Sequence, residues 1–159
     1  MKHVLKVVAI GVLAVVGAVA AQAQGNPVVG TWKLNTAKSK YSPGPMPKSL
    51  TRTVTADGEA LKYAFEGVAA DGSALAYGFT TKFDGKSTPV TGSFPNGADS
   101  VSATKTDDHH YVATLKKGDK LIGTSKVTIS GDGKTTTVDA TGVTATGAKS
   151  HDVQVYDKQ

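Results

Sequence analysis

The side chains best suited to chemistry in this 159-residue chain are the histidines His109, His110 and His151 and the acids beside them. An imidazole titrates near neutral pH and ligates zinc, so Asp108, His110 and His151 would form an acid–base or metal cluster if the fold gathered them. His109 and His110 are adjacent, and adjacent residues on a strand point to opposite faces, so the pair binds one ion only across a bulge. The simpler reading of Asp107-Asp108-His109-His110 is a polar hairpin tip in water. No serine stands in a G-x-S-x-G setting that would activate it. The chain has no cysteine, which removes thiolate nucleophiles, thiolate ligands and disulfides together. The Asp-Gly pairs lack the alternating carboxylates of a calcium loop and the glycine-rich nonapeptide of a calcium-binding roll, and read as turns. The chain is therefore expected to be no enzyme, with no metal and no cofactor.

The elements that must position these residues begin after an N-terminal segment of a different kind. Lys2 and Lys6 are followed by the uncharged, apolar run from Val7 to Ala21 and by the small residues of Ala21-Gln22-Ala23. A charged start, a short apolar core and a small-residue end read as a signal peptide over residues 1–23, cleaved after Ala23. The run is shorter than the ~20 residues that span a bilayer. The expectation is a periplasmic or secreted domain over residues 24–159, with no stable membrane insertion once the signal is removed. Lys and Arg number 18 against 13 acids, so losing two signal lysines leaves 16 against 13, a mild excess that gives no reason to invoke nucleic acid.

Beyond Gln24 the chain is rich in Thr, Val and Gly and has only two Glu, a composition that favours strands over helices. Period-two alternation places Leu61, Tyr63 and Phe65 on one face, and Leu75, Tyr77, Phe79 and Phe83 on another. Turn signals at Asp57-Gly58, Asp71-Gly72, Asp84-Gly85, Asn96-Gly97, Gly118-Asp119, Asp132-Gly133 and Thr146-Gly147 cut the chain into strand lengths. The spacing predicts about ten strands, near 28–34, 49–56, 59–69, 74–83, 87–92, 99–106, 109–116, 120–129, 135–144 and 149–157. A meander of that many antiparallel strands stacks as two sheets or closes on itself. Closure removes exposed edges, so the predicted class is all-β, a single up-and-down antiparallel barrel.

Gly30-Thr31-Trp32 at the head of this meander resembles the GxW block with which lipocalins and other calycins open their barrels. The resemblance implies that Gly30 permits close packing and that Trp32 plugs the closed end. Thr106-Asp107-Asp108-His109-His110-Tyr111 resembles the lipocalin TDxxxY hairpin block, with Asp108 where a Tyr is usual. The late Arg that packs over the Trp in that family has no match here. Arg52, the one Arg, lies in the second strand, which leaves Lys149 as a substitute or none. The longer block GTWKLNTAKSKYSPGPMPKS is similar to the opening of a group of small exported bacterial proteins, a likeness that carries no activity with it.

Between Asn35 and Ser49, Pro43, Pro45 and Pro47 forbid both a helix and a paired central strand. The segment is expected to lie across one barrel end. Its Lys38, Lys40, Tyr41 and Lys48 either meet a partner or anionic ligand, or belong to a stiff loop that caps the barrel floor. Aromatics on a strand face beside lysines can stack nucleic acid bases, but alternation with small or charged residues makes them core or pocket lining. The resemblance thus implies a lipocalin-like barrel binding a small apolar ligand, lined by Tyr63, Phe65, Leu75, Tyr77, Phe79 and Val127. The competing reading is a solid-cored barrel of the cell envelope that presents the lysine loop to a protein.

Overall fold

The structure is a computed structural model that describes residues 25–159. The signal peptide expected over residues 1–23 and the cleavage expected after Ala23 lie outside the described residues. Eleven strands run antiparallel in one sheet: β1 (Gly30–Leu34), β2 (Ser49–Asp57), β3 (Ala60–Val68), β4 (Ala74–Thr81), β5 (Asp84–Pro89), β6 (Thr91–Gly92), β7 (Ser100–Lys105), β8 (His110–Lys117), β9 (Lys120–Ile129), β10 (Thr135–Val143) and β11 (Lys149–Lys158). Nine of the ten expected strands are found within two residues of their expected limits. Their turns follow from glycine: Gly58 and Gly118 take φ of 59° and 55° at the first central position of two-residue hairpins, where a positive φ matches the twist of the flanking strands.

The exception is the strand expected at 87–92, which the fold splits in two. The sheet order is β5-β7-β8-β9-β10-β11-β1-β2-β3-β4-β6, so consecutive pieces β5 and β6 form its opposite edges. Pro89 cannot donate to a ladder and Gly92 adopts φ of 71°, and between them the chain crosses from one edge to the other. The edges meet through a side chain: the Thr88 hydroxyl donates to Thr80 O at 2.6 Å and lies 3.2 Å from Val101 O. The result is a nearly closed barrel whose seam lies between β4 and β5. Phe83 falls in the turn at this seam with φ of 58°, beyond the end of β4, yet its side chain packs into the same core as Phe79 and its ring meets the Tyr111 ring edge-on at 5.1 Å.

The proline segment does not simply cross an end. Its first half extends the wall beside β11: Lys40 and Val153 exchange both backbone hydrogen bonds at 2.8 Å, and His151 N donates to Ser42 O at 2.8 Å. The buried Ser39 braces the turn that joins this stretch to β1, donating to Asn35 O at 2.7 Å and accepting from Val155 N at 2.9 Å. Only its second half, with Gly44, Pro45 and Pro47, turns over the barrel. It does so at the end opposite Trp32, so the loop borders the mouth and is not a cap on the floor.

The floor is built on Trp32, which has no exposed surface and donates its indole N–H to Val28 O at 2.9 Å. Lys158 Nζ lies 5.0 Å from the Trp32 ring centroid and donates to Pro27 O at 3.2 Å. Lys158, not the exposed Lys149 at the other end of β11, is the late basic residue over the Trp. Gly30 makes this possible: at φ of 138°, a Cβ there would stand 2.7 Å from Lys158 Cε.

Candidate functional site

Alternation along the strands decides what enters the barrel. On β3 and β4 the inward positions are large, and on β8, β9 and β10 many are small. Tyr63 stacks on Phe79 at 4.7 Å between ring centroids, Phe65 stacks on Tyr77 at 4.8 Å, and Phe94 tilts onto Tyr77 at 4.6 Å. The register dictates these pairs, since Tyr63 faces Phe79 and Phe65 faces Tyr77 across the β3–β4 ladder. Opposite this aromatic wall stand Ala113, Ser125 and Ala140. Side chains of that size cannot reach the far wall, and a cavity of about 480 Å³ remains between them. That is within the ~300–1,000 Å³ usual for small-molecule sites.

Tyr63, Phe65, Leu75, Tyr77, Phe79 and Val127 all lie on the cavity wall. The mouth is bordered by Tyr41 and Pro45 of the proline segment, Ala70 of the β3–β4 turn, Phe94 and Pro95 after β6, and Ala145 of the β10–β11 turn. Tyr41 is half-buried there, whereas Lys38, Lys40 and Lys48 are exposed. Burial, with smaller contributions from Tyr156, Tyr77 and Asp152, pushes the Tyr41 hydroxyl well above the usual tyrosine range. Burial also raises Tyr77, and raises Tyr63, which lies 3.5 Å from the Tyr111 hydroxyl. Tyr156 is pushed up to about 12 by burial, against the pull of nearby Arg52, and donates to Gln154 Oε1 at 2.9 Å. Asp152, at the mouth, is raised by burial although it accepts from Ser42 N at 3.1 Å.

Arg52 is the residue whose place in this site sequence reasoning missed. It alternates with Leu50 and Val54 on β2 and so points inward with them. It lines the cavity and is 3% exposed. Its guanidinium carbon lies 5.2 Å from the Trp32 ring centroid and 4.7 Å from that of Tyr156. Nε and Nη2 have no hydrogen-bond partner, and no carboxylate among the described residues forms an ion pair with Arg52. Burying an unpaired guanidinium costs several kcal/mol, and a desolvated ring returns about 2 kcal/mol. The period-two pattern at Leu50, Arg52 and Val54 was the available signal, and the family resemblance, which expects the basic residue late in the chain, masked it.

The histidine cluster does not form. His110 Nδ1 pairs with Asp107 at 2.8 Å, while Asp108 pairs with Lys105 at 2.5 Å. Backbone bonding from His109 and the contact with His110 hold the Asp107 carboxyl below its ordinary value. His151 pairs instead with Asp139 across the β10–β11 ladder at 2.9 Å. Following the register from His110 through Thr128 and Thr137 leads to Val155, three strands over and four residues along β11 from His151. Those steps put His110 and His151 roughly 20 Å apart at ~4.8 Å per strand and ~3.3 Å per residue. Among the described residues no group of three or more metal-ligating side chains comes together.

No protein-family model matches the sequence, and no curated protein matches it. Among solved structures, zebrafish ileal bile acid-binding protein complexed with cholic acid is similar with a TM-score of 0.52 and 14% identity, covering 84% of this chain and 99% of that one. The redesigned β-barrel mFAP1 bound to DFHBI gives a TM-score of 0.44 at 12% identity, over 84% and 96% of the two chains. Lobster apocrustacyanin A1 gives 0.44 at 14%, over 86% of this chain and 63% of that one. At 14% identity the likeness to the zebrafish protein is one of fold alone, and the fold is a nearly closed antiparallel β-barrel.

Proposed function

We propose that this protein is an exported barrel that binds a small, largely apolar molecule without altering it. The observation that carries the reading is the cavity of about 480 Å³ between an aromatic wall and a wall of small side chains. A packed core leaves few voids larger than a water molecule, because each unfilled space forfeits dispersion contacts. A space of this size on facing alanines and aromatics is better explained by an occupant than by a barrel meant to be solid. The cavity therefore weighs against the solid-cored envelope barrel. The zebrafish protein of the same fold is complexed with cholic acid, which agrees with a guest of this scale. Export is supported by the Lys2–Ala23 pattern alone, and places the barrel in the periplasm or outside the cell.

The test is titration of the purified mature chain with Nile red, a neutral apolar dye, alongside native mass spectrometry. The expected result is one dye per protein with a blue-shifted emission. A clean apo mass together with no dye uptake would overturn the reading.

A further inference from the structure

We infer that the occupant of the cavity carries a single carboxylate that pairs with Arg52 at the floor, with its apolar body directed toward the mouth. The inference rests on the cavity being a ligand site, and adds the chemical class of the ligand and its direction. It starts from two atoms. Nε and Nη2 of Arg52 are buried and without a hydrogen-bond partner. These are the two nitrogens on one edge of the guanidinium, whose N–H bonds run parallel and match the two oxygens of a carboxylate. Water does not reach them, and the two flanking rings offer π-faces and no acceptor oxygen to that edge.

The rest of the cavity gives the site a direction. Asp152 lines it at the mouth, with its carboxylate engaged by Ser42 N at 3.1 Å, so an acidic group placed there would meet like charge. At the floor the charge is positive, from Arg52 within and Lys158 on the Trp32 ring. Between the two ends the wall is aromatic and offers an apolar body continuous contact. Turning the guanidinium edge toward the cavity would move it on the Trp32 ring, and Trp32 is the single tryptophan of the chain, so its fluorescence reports the event.

The experiment compares decanoate with decanol, two ligands of equal chain length, by calorimetry and Trp32 fluorescence at pH 8 in the mature protein. Decanoate is expected to bind at least tenfold more tightly and to change Trp32 emission. Arg52→Met is expected to bring the two within about threefold while leaving decanol binding intact. Arg52→Lys, which keeps the charge but not the fork, should fall between. Should Arg52→Met fail to fold, the wild-type comparison still decides. Equal or tighter binding of decanol by the wild type overturns the carboxylate assignment and leaves the apolar cavity standing. Binding of Nile red with neither decanoate nor decanol overturns it too. Failure of all three overturns both this inference and the proposed function.

Discussion

Raising the pH should unfold this barrel through its tyrosines, and the cost follows from where their hydroxyls lie. Tyr41, Tyr63, Tyr77 and Tyr156, four of the five tyrosines, have hydroxyls raised above the ordinary value of 10.0 chiefly by burial. A raised value means that the folded state holds its proton more tightly than the unfolded state. The stability this represents is complete below pH 10 and is lost as pH rises toward the folded value, about 12 for Tyr156 and higher for Tyr41 and Tyr77. At pH 11.5 an unfolded tyrosine is favoured by about 2 kcal/mol over one that must stay neutral, so Tyr41, Tyr77 and Tyr156 cost about 6 kcal/mol together, and Tyr63 acts in the same direction. Domains of this size have a total stability of about 5–15 kcal/mol. Alkaline unfolding between roughly pH 11 and 12 is expected, with the tyrosinate absorbance at 295 nm and the loss of far-ultraviolet circular dichroism rising together. A smooth ionisation of all tyrosines centred near pH 10, with the circular dichroism unchanged, would refute the reasoning, because it would mean that bulk water fills the cavity and solvates every hydroxyl.

Other perturbations separate the walls of the site from its frame. Ala140→Phe fills the small-residue wall and should lower Nile red affinity at least tenfold while leaving the melting temperature unchanged or higher; unaltered binding would show that the dye sits elsewhere. Gly142→Ala places a Cβ 2.4 Å from Ile122 O and should cost about 1–3 kcal/mol in urea unfolding, a figure contradicted by a wild-type midpoint. Trp32→Ala empties the floor and strands Val28 O, and should cost about 3–5 kcal/mol; a loss below about 1 kcal/mol in the same assay would remove Trp32 from the core. His110→Ala and His151→Ala break only exposed pairs and should each change stability by less than about 1 kcal/mol, so a larger loss in thermal unfolding would point to a role that the exposed geometry does not explain.

Much of the frame was legible because a hairpin meander writes itself in local chemistry. Glycine in the two-residue turns and alternation on the strands are properties of neighbouring residues, and nine strands were located from them. The split at Pro89 was not legible, because the expected strand at 87–92 looks continuous until the two edges it must reach are known. The end of β4 at Thr81 was hidden for the same reason, since the period-two spacing from Phe79 to Phe83 runs on through the seam turn while Phe83 still packs into the same core.

The site divides in the same way. Alternation by itself determined that Tyr63, Phe65, Tyr77 and Phe79 share a face, and composition determined that no thiol chemistry is open to the chain. Only the tertiary structure decided that this face looks across a space at Ala113 and Ala140, because a cavity is a difference between walls that the sequence separates by dozens of residues. Likewise, only closure set Arg52 between Trp32 and Tyr156 with no acid paired to it among the described residues, and carried His151 away from His110. Local pattern dictates which way a side chain points, whereas the long-range register decides what it meets there.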